Sequence, residues 1–105
     1  MCNSPEIQRF DEIDSTNAEA LRQLKQQPKD WLNTPRVFIA RSQTAGRGRR
    51  GRAWTSKPDA GLYFSLLRRF SLEPDQLQGL SLVVGLSVRA AIESLGAKPI
   101  RLKWP

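Results

Sequence analysis

The segment Gly46–Arg52 constrains the fold of this chain more than any other. It reads Gly-Arg-Gly-Arg-Arg-Gly-Arg, with no hydrophobic side chain. A helix or strand of a packed domain must bury an apolar face, and this segment has none, which predicts a loop. The apolar runs Val37–Ala40 and Leu62–Leu67 stand on either side of it, and both are predicted to be strands. The fold must therefore carry a basic loop between two strands.

Helical patterns alternate with these strands. Ile7–Ile13 is predicted to be a first strand. Thr16 and Glu19 form a T-x-x-E capping box that predicts a helix start, and Pro28 is expected to end that helix. Residues 28–35 are predicted to form a surface loop.

The second half of the chain repeats the alternation. Apolar residues at helical spacing predict a helix from about Pro74 to Leu95, with Gly96 as its C′ residue. Ile100–Trp104 is predicted to begin another strand. The order β-α-β-loop-β-α-β indicates an α/β or α+β sheet domain.

Composition narrows the range of functions. The 105 residues include one Cys and no His, which excludes a disulfide framework, a Cys/His zinc site and a His-based catalytic triad. No apolar run of about 18 residues occurs, and residues 1–5 do not resemble a signal peptide, so we expect a cytoplasmic protein without membrane contact. The net charge of +7 is concentrated in residues 36–69, where nine Lys and Arg accompany a single acidic residue, Asp59. This concentration favours an anionic partner.

The chemistry of Gly46–Arg52 leaves three interpretations open. One is a solvated basic loop, which is common for such clusters. A second is a nucleic-acid-binding module in which the arginines bind phosphates and Trp54 and Tyr63 offer stacking faces. A third is a loop around a compact anion, because guanidinium groups pair bidentately with phosphate or carboxylate and glycine permits close approach. A Walker loop is excluded, since G-x-x-x-x-G-K-[ST] is absent.

Five segments together resemble the biotin–protein ligase family. The loop Gly46–Arg52, followed by Trp54, is similar to the family's GRGRRGRxW loop. The other four segments, in the family's order, are Asp14–Asn17 (D-S-T-N), Gly61–Ser65 (N/G-L-Y-x-S), Gly79–Gly85 (a long helix) and Lys103–Pro105 (K-W-P). The arginine-glycine loop and K-W-P are the most specific of the five. A lipoate- or octanoate-transferring relative shares the fold, but the arginine-glycine loop argues against it.

The resemblance implies a class II synthetase-like catalytic domain, with a mixed sheet and helices packed on it. Residues 1–105 would be the N-terminal portion of that domain, without a helix-turn-helix or C-terminal domain, and no DNA binding is expected. The family forms a C–N bond: it activates biotin with ATP and Mg²⁺ to biotinyl-5′-AMP and transfers biotin to a lysine of a biotin carboxyl carrier protein domain. For a full-length protein the resemblance allows a homodimer. Because the family pattern continues past K-W-P, we expect the isolated 105 residues to be marginally stable and at most to bind biotin.

The resemblance also implies a set of site residues. Arg49 and Lys103 would offset the repulsion between two negative charges when a carboxylate attacks a phosphate. Trp54 would exclude water from the reaction intermediate. The roles of Trp31 and Arg52 are left open, and no protein-held metal is implied. The residues expected to bind biotin or its adenylate are Ser15, Thr16, Asn17, Gln43, Gly46, Arg47, Gly48, Arg49, Trp54 and Lys103.

Overall fold

A computed structural model describes residues 4–102. The chain divides between Phe70 and Ser71 into two compact units. The first unit holds the predicted basic loop and the strands around it. Within residues 4–102, no helix has both the length and the apolar content that crossing a bilayer requires.

The first unit is built on a three-stranded mixed sheet. Strand β1 (Glu6–Ile13) lies parallel to the central strand β2 (Arg36–Gln43), and β5 (Tyr63–Leu67) lies antiparallel to β2 on its other side. These three predicted strands and the mixed sheet are confirmed. Strand β2 runs past its predicted end at Ala40, and this extension carries Gln43 to the edge of the sheet where β1 also ends.

Helix α1 (Thr16–Gln26) follows β1 directly. Its N-cap is Ser15, whose Oγ accepts a hydrogen bond from the Ala18 N–H at 3.2 Å. The predicted T-x-x-E capping box is therefore wrong by one residue, and the Glu19 carboxylate binds side chains further along the helix instead of the cap. Because Thr16 does not cap the helix, its side chain is free to turn inward, where it is buried.

The core of this unit lies between α1 and the sheet. Phe38 of β2 is fully buried, and Ala20 of α1 and Ala40 of β2 are nearly so. Small residues at these two positions let the helix approach the sheet closely. The packing fixes the first turn of α1 against β2 and β5, where the polar residues described below meet.

The connection from α1 to β2 is more ordered than predicted. The helix ends before Pro28, as expected, but Lys29–Asn33 forms a 3₁₀ turn in the predicted loop. The Arg36 guanidinium lies 4.7 Å from the centroid of the Trp31 ring and also donates to the Trp31 carbonyl. Trp31 therefore holds this turn against the start of β2 through a cation–π contact.

The basic segment forms a small hairpin. Strands β3 (Gly46–Arg47) and β4 (Ala53–Trp54) pair antiparallel, and a 3₁₀ turn at Arg49–Gly51 joins them. The turn places Arg50 at φ 60° and Gly51 at φ 72°, in the left-handed region. The prediction of a loop is therefore wrong at Gly46–Arg47, which pair with Ala53–Trp54 just after the segment. Two-residue strands need only backbone hydrogen bonds, so the lack of an apolar face did not prevent them.

The second unit contains helix α2 (Leu80–Ser94). It begins later than predicted, because Pro74–Leu77 forms a separate 3₁₀ turn and Gly79 interrupts the helical path at φ 81°. Gly96 follows the C-cap at φ 101°, which confirms its prediction as the C′ residue.

The predicted strand at Ile100–Trp104 does not form over residues 100–102. The Ile100 N–H donates to the Glu93 carboxylate at 2.7 Å, a bond to a side chain of α2 in place of a strand partner. This bond lowers the pKa of Glu93, with a further contribution from Arg89. Residues 103–105 lie outside the described part of the chain.

Candidate functional site

The ends of β1 and β2 bring two polar segments side by side. The Thr44 N–H donates to the Ile13 carbonyl at 2.9 Å, and the Ala45 N–H donates to the Asp14 carbonyl at 2.8 Å. These bonds continue the parallel pairing past the strand ends. The first turn of α1 and the start of the hairpin are therefore held next to each other.

Gln43 bridges these two segments. Its Oε1 accepts the backbone N–H of Thr16 at 2.7 Å, a donor that the first turn of a helix leaves without an intrahelical partner. With the oxygen so engaged, the side-chain amide offers Nε2 as a donor. The backbone of Gln43 is held in turn by the Ser56 hydroxyl.

Thr16 ties α1 to β5. Its side chain is buried, and its Oγ1 lies 2.8 Å from the Oγ of Ser65. Thr16 thus uses its backbone to hold Gln43 and its hydroxyl to hold Ser65. The turn between β1 and α1 is consequently fixed against both β2 and β5.

Two adjoining clefts open at this edge of the sheet and share Thr16, Gln43 and Arg47. One has a volume of about 620 Å³ and the other of about 400 Å³, sizes typical of small-molecule sites. The larger cleft is also lined by Gly48, Arg49, Trp54, Leu62, Tyr63 and Phe64. The smaller is also lined by Asp14, Ser15, Asn17, Ala18, Leu21, Ala45 and Ser65.

Most of the residues predicted for the site line these clefts. Gly46 lies behind the lining and is buried; a Cβ at this position would come within 2.9 Å of Gln43 Nε2 and 3.0 Å of the Trp54 carbonyl oxygen. Lys103 lies outside the described residues. The predicted residues that do line the clefts are Ser15, Thr16, Asn17, Gln43, Arg47, Gly48, Arg49 and Trp54.

Sequence reasoning missed several lining residues. Ser65 was not predicted as a site residue, and Tyr63 was considered only as a stacking face for nucleic acid. Both face the same side of β5, two positions apart, and Tyr63 lines the larger cleft while Ser65 lines the smaller. The signal that could have found them is this alternation in the Gly61–Ser65 segment.

The arginines of the hairpin differ from Arg22, Arg41 and Arg89, each of which forms a salt bridge. Within residues 4–102, the structure gives no carboxylate partner to any of the hairpin arginines, which are Arg47, Arg49, Arg50 and Arg52. The hairpin therefore presents positive charge to the clefts.

Asp14 does not cancel this charge. Arg22 donates two hydrogen bonds to its carboxylate at 2.8 Å, and the Ser15 N–H donates a third at 2.8 Å. These contacts, with Arg22 first, lower the pKa of Asp14 from 3.8 to about 2. No group of three or more His, Cys, Asp or Glu side chains suited to a metal ion occurs among the described residues. The site thus combines a positively charged hairpin with neutral hydrogen-bonding groups.

The profile of the Biotin/lipoate A/B protein ligase family matches residues 10–105, and the chain belongs to this family. The biotin--[acetyl-CoA-carboxylase] ligase of Mycobacterium tuberculosis is 44% identical over 73 residues, which cover 66% of this chain and 27% of the relative. The bifunctional ligase/repressor BirA of Escherichia coli is 42% identical over 93 residues, 89% of this chain and 27% of the relative. The chain therefore spans about a quarter of the length of these curated relatives.

A solved structure supports the same assignment. The biotin protein ligase from Aquifex aeolicus in complex with biotin and ATP superposes with a TM-score of 0.69 at 39% identity, covering 95% of this chain and 39% of that one. The resemblance inferred from five sequence segments, and the catalytic-domain fold it implied, are confirmed.

Proposed function

We propose that this chain is the N-terminal part of a biotin–protein ligase catalytic domain. Such a domain activates biotin with MgATP and delivers the biotinyl group to a lysine of a biotin carboxyl carrier protein domain. The proposal rests on one observation: a single edge of the sheet gathers the neutral groups of Thr16 and Gln43 with the guanidinium groups of Arg47 and Arg49, which have no carboxylate partner within residues 4–102. A relative of similar fold is described in complex with biotin and ATP.

The neutral groups suit the head of biotin. A ureido ring presents one carbonyl acceptor and two N–H donors, so its pocket must offer both kinds of partner without a full charge. Gln43 Nε2 donates to no acceptor within residues 4–102, and the hydroxyls of Ser15 and Thr16 can each accept one more hydrogen bond. Leu21 and Tyr63 supply apolar surface for the bicyclic ring and the tail. In this proposal Asn17 lies alongside as a further polar contact.

The hairpin suits the reacting anions. A biotin carboxylate oxygen attacks the α-phosphorus of ATP; a P–O bond forms to give biotinyl-5′-AMP, and the P–O bond to the departing pyrophosphate breaks. Positive charge offsets the repulsion between two anions, and Arg49 and Lys103 are assigned that task. A carboxylate is already a nucleophile, so this step needs no general base. Mg²⁺ would enter with ATP as part of the substrate.

The second step transfers the acyl group. The amine of a carrier lysine attacks the acyl carbonyl, an amide C–N bond forms, and AMP leaves with the bonding electrons of the C–O bond. Water would compete for the same carbonyl. Trp54 is 60% exposed and lines the larger cleft, where its ring lies beside Gly48. We assign Trp54 to cover the adenylate and exclude that water.

Calorimetric titration with biotin tests the proposal. We expect the full 105-residue chain to bind biotin, and Gln43→Ala or Arg47→Ala to weaken binding at least tenfold, or about 1.4 kcal/mol. Arg52→Ala is the matched control, because Arg52 belongs to the same hairpin but lines neither cleft. Absence of binding to the unaltered chain, or equal losses in Arg47→Ala and Arg52→Ala, would contradict the proposal.

The alternative of a nucleic-acid-binding module has its own test. Such a module would use the hairpin arginines, but it does not explain why Thr16 is buried and why the Gln43 side chain is held in a fixed orientation. In an electrophoretic mobility shift with generic RNA or DNA at physiological salt, the ligase proposal expects no complex. A complex abolished by Arg49→Ala would favour the alternative.

A further inference from the structure

Ser56 makes an unusual pair of contacts with the end of β2. Its Oγ accepts a hydrogen bond from the Gln43 N–H and donates one to the Gln43 carbonyl, both at 2.7 Å. One hydroxyl thus satisfies both backbone polar groups of a single residue. Such doubly bonded hydroxyls replace the contacts that a neighbouring strand would make.

The sheet needs this replacement at Gln43. The pairing of β2 with β5 stops at Ala40 opposite Tyr63, and continuing that register would set residue 60 opposite Gln43. Residue 60 instead lies in a turn, where the Ala60 N–H donates to the Lys57 carbonyl at 3.1 Å. Ser56 takes the place of the missing strand.

Rigid placement of Gln43 matters because its amide has little room. The space beside Nε2 is limited by Gly46, where even a Cβ would approach to 2.9 Å. On the other side, Oε1 is held by the Thr16 N–H at 2.7 Å. A displacement of the Gln43 backbone would therefore lengthen the bond to Thr16 or move Nε2 toward the Gly46 backbone, and in either case redirect the amide.

We propose that Ser56 is a positioning residue for biotin recognition, which acts by holding the Gln43 backbone so that Nε2 meets the ligand. The inference rests on the function proposed above. Ser56 lies two residues after Trp54, so the same hydroxyl also fastens the far end of the hairpin to the sheet. It does not line either cleft and acts only through its partner.

A measurement without ligand tests the contact itself. In the full chain we expect Ser56→Ala to raise the hydrogen-exchange rate of the Gln43 N–H at least tenfold and to shift the side-chain amide resonances of Gln43. Ser56→Thr keeps the hydroxyl and should restore both. Thr55→Ala removes the neighbouring exposed hydroxyl and should change neither. Unchanged exchange and resonances in Ser56→Ala would overturn the proposal, whether or not the chain binds biotin.

A double-mutant cycle tests the consequence for binding. Ser56→Ala should weaken biotin binding about tenfold, Ser56→Thr should recover it, and Ser56→Ala should have no further effect once Gln43→Ala is present. Additive losses would show that Ser56 acts on stability in general, and would overturn the proposal. If the unaltered chain does not bind biotin, the proposed function fails, and the exchange experiment still decides the role of Ser56.

Discussion

The two sides of the adjoining clefts differ in whether their polar side chains already have partners within the protein. On the side formed by the sheet and α1, the polar groups of Thr16 and Gln43 hold one another and their neighbours at hydrogen-bond distance. On the hairpin side, within residues 4–102, the side chains of Arg47 and Arg49 have no carboxylate partner. Internal hydrogen bonds fix the neutral side before any ligand arrives, whereas the cationic side keeps its charge available for an anion. Substitutions on the first side should therefore affect stability, and those on the second should affect binding alone.

Gly46 is the point where the two sides meet, so its substitution should have the largest effect. Gly46→Ala would place a Cβ 2.9 Å from Gln43 Nε2 and 3.0 Å from the Trp54 carbonyl oxygen. We expect a loss of about 1–3 kcal/mol in the free energy of unfolding, together with the loss of biotin binding. Gly48→Ala is the control, since its Cβ would make an ordinary contact at 3.5 Å with the Trp54 ring. Urea denaturation and calorimetry measure the two quantities, and equal destabilisation by both variants would contradict the comparison.

The hydroxyl pair of Thr16 and Ser65 should come next. Thr16→Val keeps the shape of the side chain but leaves the Ser65 hydroxyl without its partner, and we expect a cost of about 1–2 kcal/mol. The double variant Thr16→Val/Ser65→Ala removes both polar groups and should be less destabilised than the sum of the single variants. Urea denaturation of all four proteins checks this. Strict additivity would mean that the two hydroxyls do not interact.

Substitution of Asp14 should have a smaller effect on stability, and this effect should depend on pH. Its pKa is lowered from 3.8 to about 2 by Arg22 and by the Ser15 N–H. A lowered folded-state pKa means that the stabilisation is fully present above the unfolded value and is lost as the pH falls from about 4 through 2. Asp14→Asn should therefore show a lower melting temperature than the unaltered chain at pH 6 and a similar one at pH 2. A constant difference across this range would exclude Asp14 as the source.

Arg49→Ala should have the smallest effect on stability. The guanidinium is exposed and has no carboxylate partner among the described residues, so removing it breaks no salt bridge within residues 4–102. We expect an unchanged melting temperature, whereas Arg22→Ala, which removes the partner of Asp14, should lower it. A fall in Arg49→Ala as large as that in Arg22→Ala would remove the distinction between the two sides.

The sequence predicted the main elements because their patterns are local. The continuous apolar run at Val37–Ala40 indicates a strand that packs in the core, and the helical spacing of apolar residues in α2 indicates a helix with one apolar face. The cap of α1 was misplaced because Ser15 and Thr16 are both good capping residues, and the distant partners Gln43 and Ser65 draw Thr16 inward. The strand expected after Ile100 failed over residues 100–102 because a strand depends on a partner, which no local pattern specifies.

The same reasoning explains which site residues were found. The resemblance to the ligase family predicted Thr16, Gln43 and residues of the hairpin, whereas Ser65 was missed although it lies in one of the five matching segments. Ser56 and Ser65 act through partners 13 and 49 residues away in the chain. The alternation along β5 could have pointed to Ser65, but the partners of both serines are known only from the fold. A lone serine carries no signal of such a contact.

The most direct test of the account compares the affinities for two ligands, biotin and a hydrolysis-resistant analogue of biotinyl-5′-AMP. If the sheet side binds the neutral head and the hairpin binds the phosphate, the unaltered chain should bind the adenylate analogue more tightly than biotin. Arg49→Ala should lose most of that excess and retain its affinity for biotin, whereas Gln43→Ala should weaken both ligands by the same factor. Equal losses for both ligands in Arg49→Ala, or the absence of competition between biotin and the analogue, would contradict the account.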